Sequence, residues 1–207
     1  GTISPLIKFK GKFMRKIVLS ILAFVLSFSY AKDFDKSGFL LGVFGGSNSA
    51  EHTILGGNIL INKADFIPIG ARLGFQSFNE SGIFGTRFYV DYSYANAKVE
   101  NTDLKLTQTL LGLNLDLLLD FNIPNTESFV GVFGGVNYGF YNFKSSDNIS
   151  AFDGKGLGYN AGLALTLSSR HRIEIFYKSL PFKKYEAGIL ETYEMTSITG
   201  LAYQYNF

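Results

Sequence analysis

The sequence predicts an all-β chain, a single antiparallel up-and-down barrel of eight strands, and three observations carry that prediction. Hydrophobicity alternates with a period of two through most of residues 38 to 207. Clusters of Gly, Asn, Ser, Asp and Pro interrupt the alternation at regular intervals. The connections also alternate in length, short at one end and longer at the other. With 207 residues, the chain has room for one such domain.

Taken in order, the predicted strands cover 38 to 48, 69 to 79, 84 to 99, 104 to 120, 128 to 142, 155 to 168, 172 to 180 and 194 to 207. The first holds "GVFGG" (Gly42 to Gly46), and the same five residues return as Gly131 to Gly135 in the fifth. In the third, Phe88, Val90, Tyr92 and Tyr94 share one face, against Arg87, Tyr89, Asp91 and Ser93. The fourth sets Leu111, Leu113, Leu115, Leu117 and Leu119 against Gly112, Asn114, Asp116, Leu118 and Asp120. In the fifth, Gly131, Gly135, Asn137 and Gly139 oppose Val130, Val132, Val136, Tyr138 and Phe140. The sixth divides most cleanly: Leu157, Tyr159, Ala161, Leu163, Leu165 and Leu167 on one face, small or polar residues on the other. The seventh pairs Ile173, Ile175 and Tyr177 against Arg172, Glu174, Phe176 and Lys178; the last sets Leu201, Tyr203, Tyr205 and Phe207 against Gly200, Ala202, Gln204 and Asn206. A helix produces no such division.

Segments 80 to 83, 121 to 127 and 169 to 171 are the short or modest turns. Segments 49 to 68, 143 to 154 and 181 to 193 are expected to be outer loops, with a tight "ENTD" between strands three and four as the fourth. Thr53 to Asn62 has the look of a further strand; a ninth would leave the termini at opposite ends, so it is placed in the first outer loop, extending strands.

Two positive charges, Arg15 and Lys16, lead into an apolar run from Ile17 to Phe28, and "SYA" follows at Ser29 to Ala31. That is the pattern of a signal peptide cut after Ala31. Residues 1–13 form an upstream extension before Met14, residues 14–31 the signal peptide, and residues 32–207 the barrel domain. Residues 1 to 31 hold five of the 19 basic residues and no acid, which leaves 14 basic against 17 acidic in the barrel. The apparent basicity belongs to the leader, and nucleic-acid binding has no electrostatic support. There is no cysteine for a disulfide or a lipid anchor.

An eight-stranded barrel is either a soluble carrier with an apolar lumen or a membrane barrel with an apolar exterior. Gly, Asn, Ser and paired charges suit a narrow interior, whereas the opposite face carries long Leu, Val and aromatic series that lipid solvates and water does not. Tyr92, Tyr94, Tyr138, Phe140, Tyr203 and Phe207 gather toward strand ends, as interfacial girdles do. The expected fold is therefore a transmembrane barrel, and the "GVFGG" glycines give interior space. Neither copy is G-x-G-x-x-G, and no Walker lysine follows.

The closing "AYQYNF" resembles the C-terminal signature of bacterial outer-membrane proteins, which implies that Tyr203, Tyr205 and Phe207 form an assembly signal read by the barrel assembly machinery. "GTRFYVDYSYA", "RHRIEIFYKSLPF" and "YQYNF" resemble segments of the Helicobacter and Campylobacter outer membrane protein family. The resemblance implies an outer-membrane location more than an activity.

Matching apolar to apolar across "ENTD" pairs Phe88 with Leu115, Val90 with Leu113 and Tyr92 with Leu111, and sets Arg87 opposite Asp116 in the lumen. Arg172 and Glu174 come from the same periplasmic half, so Arg87, Asp116, Arg172 and Glu174 are the expected lumen charge network, a structural plug or alternatively a gate. No metal, cofactor or catalytic residue is expected: His52 and His171 fall at opposite ends. His52 beside Glu51, near Ser47 and Ser49, is a weak match to outer-rim lipid A acyltransferase chemistry. Lys183 and Lys184 could meet lipopolysaccharide phosphate, and Asn148 to Ser150 matches a glycosylation acceptor pattern. The expectation is a non-enzymatic structural or surface-interaction protein acting through its outer loops, with a narrow or gated pore for ions or small solutes as the alternative and a lipid A-modifying enzyme third. The expected partners are outer-membrane lipid and lipopolysaccharide, with an external ligand unknown.

Overall fold

A computed structural model of the chain describes residues 36–56, 58–98, 105–145, 151–186 and 190–207. The predicted extension and signal peptide, residues 1–31, lie outside them. Nine strand segments follow one another: β1 Gly38–Gly56, β2 Asn58–Phe66, β3 Ile69–Phe78, β4 Phe84–Lys98, β5 Lys105–Asn122, β6 Phe129–Ser145, β7 Ala151–Leu167, β8 His171–Glu186 and β9 Leu190–Asn206. Every neighbouring pair is antiparallel, and β1 pairs with β9 to close the sheet.

Nine segments make eight walls. β1 pairs with β3 along its lower part, from Gly38 with Gln76 to Gly45 with Ile69, and with β2 along its upper part, from Asn48 with Phe66 to Gly56 with Asn58. β2 and β3 therefore stack end to end as one wall, interrupted at Ile67 and Pro68, where proline has no N–H to give the ladder. Thr53 to Asn62 is the tip of this hairpin, and it extends strands as expected.

Much of the three predicted outer loops is strand. The ladders continue to Gly56 and Asn58, to Ser145 and Ala151, and to Glu186 and Leu190. Pairing continues because an antiparallel ladder satisfies the backbone donors and acceptors of both chains wherever alternation persists.

The registers fix the barrel's size. A hydrogen-bonded row starting at Gly38 passes through Gln76, Arg87, Asp116, Gly135, Asn160, Lys178 and Ile198. Because Thr199 pairs with Ser47, the row re-enters β1 at Asn48, ten residues along. Eight strands with that stagger tilt by about 40° and enclose a backbone cylinder of about 8 Å radius, filled by side chains.

Both ends of the 38–207 segment lie at one end of the barrel, with the short turns at 79–83, 123–128 and 168–170. In outer-membrane barrels that end is periplasmic. The exterior is apolar: Leu117, Leu157 and Leu163 are 60 to 67% exposed, and Leu73, Leu113, Val132, Ile175 and Leu201 also face out. On β5 the apolar series runs from Phe121 up to Leu111, which at this tilt spans about 25 Å, the height of a lipid-facing band.

Candidate functional site: a closed lumen

The lumen holds an ionic ladder built on glycine. Arg87 and Asp116 face each other across β4 and β5, in the register that matching apolar faces gave, and Arg87 Nη2 donates to Asp116 Oδ2 at 2.7 Å. Arg87 Nη1 also reaches Glu174 Oε1 at 2.5 Å and Gln204 Oε1 at 2.8 Å. Glu174 further accepts from Arg72 Nη1 at 2.6 Å and Arg172 Nε at 2.8 Å. All four sequence-predicted residues are thus in one network, each 0 to 1% exposed.

Five further charges join or flank it. Arg172 Nη1 donates to both oxygens of Asp120, at 3.0 and 2.9 Å. Lys36, just before β1, reaches Asp120 at 3.2 Å and the Gly82 carbonyl at 2.7 Å, and its ammonium lies over the Phe129 and Phe78 rings at 3.6 and 4.1 Å from their centroids. Burial pulls this ammonium below the ordinary lysine pKa, against the opposing pull of Asp120. Higher up, Lys178 Nζ donates to Asp91 Oδ2 at 2.7 Å. Asn160 ties the tiers together, donating to Asp116 at 3.1 Å and accepting from Asn137 at 2.9 Å. A space of about 10 Å³ lies between Arg72 and Asp91, the size of one water.

A side chain on the neighbouring strand would obstruct these groups. A Cβ at Gly131 would strike Asp120 Oδ1, one at Gly135 would strike Asp116 Oδ1, and one at Gly112 would strike Asp91 Oδ1. The second "GVFGG" is therefore interior space for two carboxylates; in the first, a Cβ at Gly42 would press on Arg72. The lumen face is bulkier than the small polar set expected: Phe44, Phe133 and Phe176 also point in, and Arg72 and Arg87 stack on the rings.

Above this ladder the interior becomes mostly apolar, with Gln108 buried in register between Ala95 and Phe143 and Asn48 buried opposite Phe66. Ala64, Phe66, Ala95, Ala97, Leu110, Phe143, Leu180 and Ile198 are buried together, with Phe66 and Phe143 edge to face at 5.9 Å. Sequence reasoning missed this second layer, although the switch is written in the strands. On β4 the outward residues change from Tyr92 and Tyr94 to Asn96 and Lys98, while the inward ones change from Arg87 and Asp91 to Ala95 and Ala97. It also missed Arg72 and Lys36, which lie on segments where no alternation was argued.

Tyr203, Tyr205 and Phe207 line the outside of β9, where the Phe207 N–H donates to the Phe39 carbonyl at 2.8 Å across the closing seam. His171 opens β8 at the periplasmic end, its Nδ1 2.7 Å from the Tyr203 hydroxyl. The backbone of His52 pairs with Asn62 and Tyr193 at the far end; its side chain and those of Glu51, Lys183 and Lys184 lie outside the described residues, as does the Asn148 to Ser150 pattern. Among the described residues no cluster of three or more His, Cys, Asp or Glu could hold a metal ion.

No curated protein matches the chain in sequence. Among solved structures it is similar to neisserial surface protein A (NspA), with a TM-score of 0.51, 14% identity, and coverage of 82% of this chain and 97% of that one. Ail, the attachment invasion locus protein of Yersinia pestis, gives 0.41 at 14% identity, covering 81% and 98%. The outer membrane protein OprG of Pseudomonas aeruginosa gives 0.45 at 15% identity, covering 84% and 100%. At these identities the likeness to NspA speaks for the fold alone. The family model for Helicobacter outer membrane protein matches residues 70–207, two thirds of the chain, with the strands that carry Arg72, Arg87, Asp116, Arg172 and Glu174. The chain belongs to the Helicobacter outer membrane protein family, an eight-stranded antiparallel barrel of the bacterial outer membrane.

Proposed function

We propose that this protein is a closed, non-conducting barrel with a structural and surface-presenting role and no enzymatic activity. The observation that carries the reading is the double closure of the lumen. Among the described residues, seven ion pairs join side chains that are each at most 4% exposed, and a mostly apolar layer sits above them. Ions cross neither an interlocked charge lattice nor a tightly filled, mostly apolar constriction without rearrangement. The strands continue past the lipid-facing band, and that extension carries the segments that follow Lys98, Ser145 and Glu186 away from the bilayer.

Planar-bilayer recording tests closure: the refolded protein is expected to give no stepwise conductance. Regular ohmic steps would overturn it in favour of a narrow pore. Surface presentation is tested by an epitope inserted between residues 145 and 151, which antibody is expected to reach on intact cells. Tyr203, Tyr205 and Phe207 act in this reading as the signal for the assembly machinery; F207A is expected to lower insertion in cells while leaving refolding in detergent unchanged.

A further inference from the structure

At the periplasmic mouth, groups from four places in the chain converge on one point, and the Lys36 ammonium sits there. The Phe78 ring closes β3, the Gly82 carbonyl belongs to the turn before β4, Asp120 lies near the end of β5, and the Phe129 ring opens β6. Two aromatic faces, a carboxylate and a carbonyl suit a primary ammonium, which gives N–H donors to the oxygens and positive charge to the rings. The neighbouring Arg172 is already engaged by both oxygens of Asp120 and by Glu174.

This box is built by contacts that do not use Lys36. Gly82 takes a φ of 67°, in the left-handed region open to glycine, and its N–H donates to the Asn79 carbonyl at 2.8 Å. Asn79 Oδ1 accepts from the Ile83 and Phe84 N–H groups, both at 3.1 Å. The Asp120 N–H donates to the Ile83 carbonyl at 2.9 Å, which ties the turn to β5, and the ladders hold Phe78 opposite Gly85 and Phe129 opposite Thr166. Lys36 enters from the other side. At the foot of β1 its carbonyl accepts from Gln76 Nε2 at 2.6 Å, and Ser37 Oγ accepts from the Phe78 N–H at 2.9 Å. Counting walls from β1, β6 is the fourth of eight, directly across the mouth. The Lys36 side chain therefore crosses the opening, and it is fully buried.

We propose that Phe78, Gly82, Asp120 and Phe129 form a binding site for a primary alkylammonium, that Lys36 is its built-in ligand, and that this seating makes residues 36 and 37 a stopper in the periplasmic mouth. Because the box is formed by other elements, a free alkylammonium can take the place of the Lys36 side chain once that side chain is removed. The stopper lies below the ion-pair ladder and does not rest on the lumen being non-conducting, so conductance and the state of the mouth can fail separately.

The chain has no cysteine, so T166C places a single thiol at the mouth, at a buried position opposite Phe129. The barrel refolded in detergent is treated with methyl methanethiosulfonate, labelling is timed by mass spectrometry, and a heat-modifiability gel checks that each variant is folded. Adding K36A is expected to speed labelling at least about 10-fold, the worth of a buried hydrogen bond to a charged group. Methylammonium chloride is expected to slow the K36A variant again by about threefold or more, by mass action. Tetramethylammonium, which has no N–H, and sodium at the same ionic strength are expected to leave the rate unchanged. F78L keeps Lys36 and removes one ring face, with an expected rise of about threefold; it decides the matter if K36A does not fold. A K36A rate within about twofold of the parent, equal slowing by methylammonium and tetramethylammonium, or an unchanged rate in F78L overturns the proposal.

Discussion

Within the lipid-facing part of β6, Val132, Val136 and Phe140 point out and Gly131, Gly135 and Asn137 point in; one turn of the alternation higher, Asn142 and Lys144 point out and Tyr141 and Phe143 point in. The two regions share one continuous ladder and one side-chain parity, yet their polarity is reversed. The reversal follows the solvent. Hydrocarbon outside requires an apolar exterior and leaves the polar groups to satisfy one another within. Water outside restores the ordinary soluble arrangement, with apolar side chains inside. The level of the switch, at Tyr94 and Ala95 on β4 and at Phe140 and Tyr141 on β6, marks the outer boundary of the bilayer.

The two halves should therefore fail differently. E174A removes the acceptor shared by Arg72, Arg87 and Arg172, and three guanidiniums then face one another in a lumen filled by side chains. Breaking a buried pair costs about 3–5 kcal/mol, so this variant is expected to show the largest fall in urea midpoint in vesicles and to lose heat-modifiable migration. A wild-type midpoint would mean that water enters and screens the ladder.

F143A deletes a ring from the upper layer, with an expected loss of about 3 kcal/mol. Its effect should stay local. Hydrogen exchange is expected to accelerate at the outer ends of β5, β6 and β7 while the membrane-embedded amides and the unboiled gel mobility stay unchanged; uniform acceleration would show that the two regions unfold as one.

G135A sets a methyl group against the Leu115 carbonyl as well as the Asp116 side chain, and overpacking of about 1–3 kcal/mol is expected from the same urea titration. Loss above that range would mean that the β5–β6 ladder itself gives way at this level. At the small end, N96A removes the exposed hydrogen bond that Asn96 Oδ1 accepts from Thr107 Oγ1 at 3.0 Å, and a loss of about 0.5 kcal/mol is expected from the same titration.

Alternation alone, read along the strands, was enough to assign lumen and lipid faces. The register of β4 against β5 was legible too, because a tight connection leaves few pairings and a one-residue slip would turn Phe88, Val90 and Tyr92 into the lumen. Arg87 opposite Asp116 followed from that. The boundary at Ala95 was equally written in the strand, but it is visible only to a reader who asks where polarity reverses on a fixed parity.

Other contacts belong to the tertiary structure. Arg72 and Glu174 are 102 residues apart, and Lys36 and Asp120 are 84 apart. What brings them together is the ten-residue stagger on closure, which sets the height of each strand against those across the barrel. Local pattern fixes which way a side chain points, since that depends only on the pleat. Which charge it meets across a lumen of about 8 Å radius depends on the tilt of all eight walls together, a property that no single strand contains.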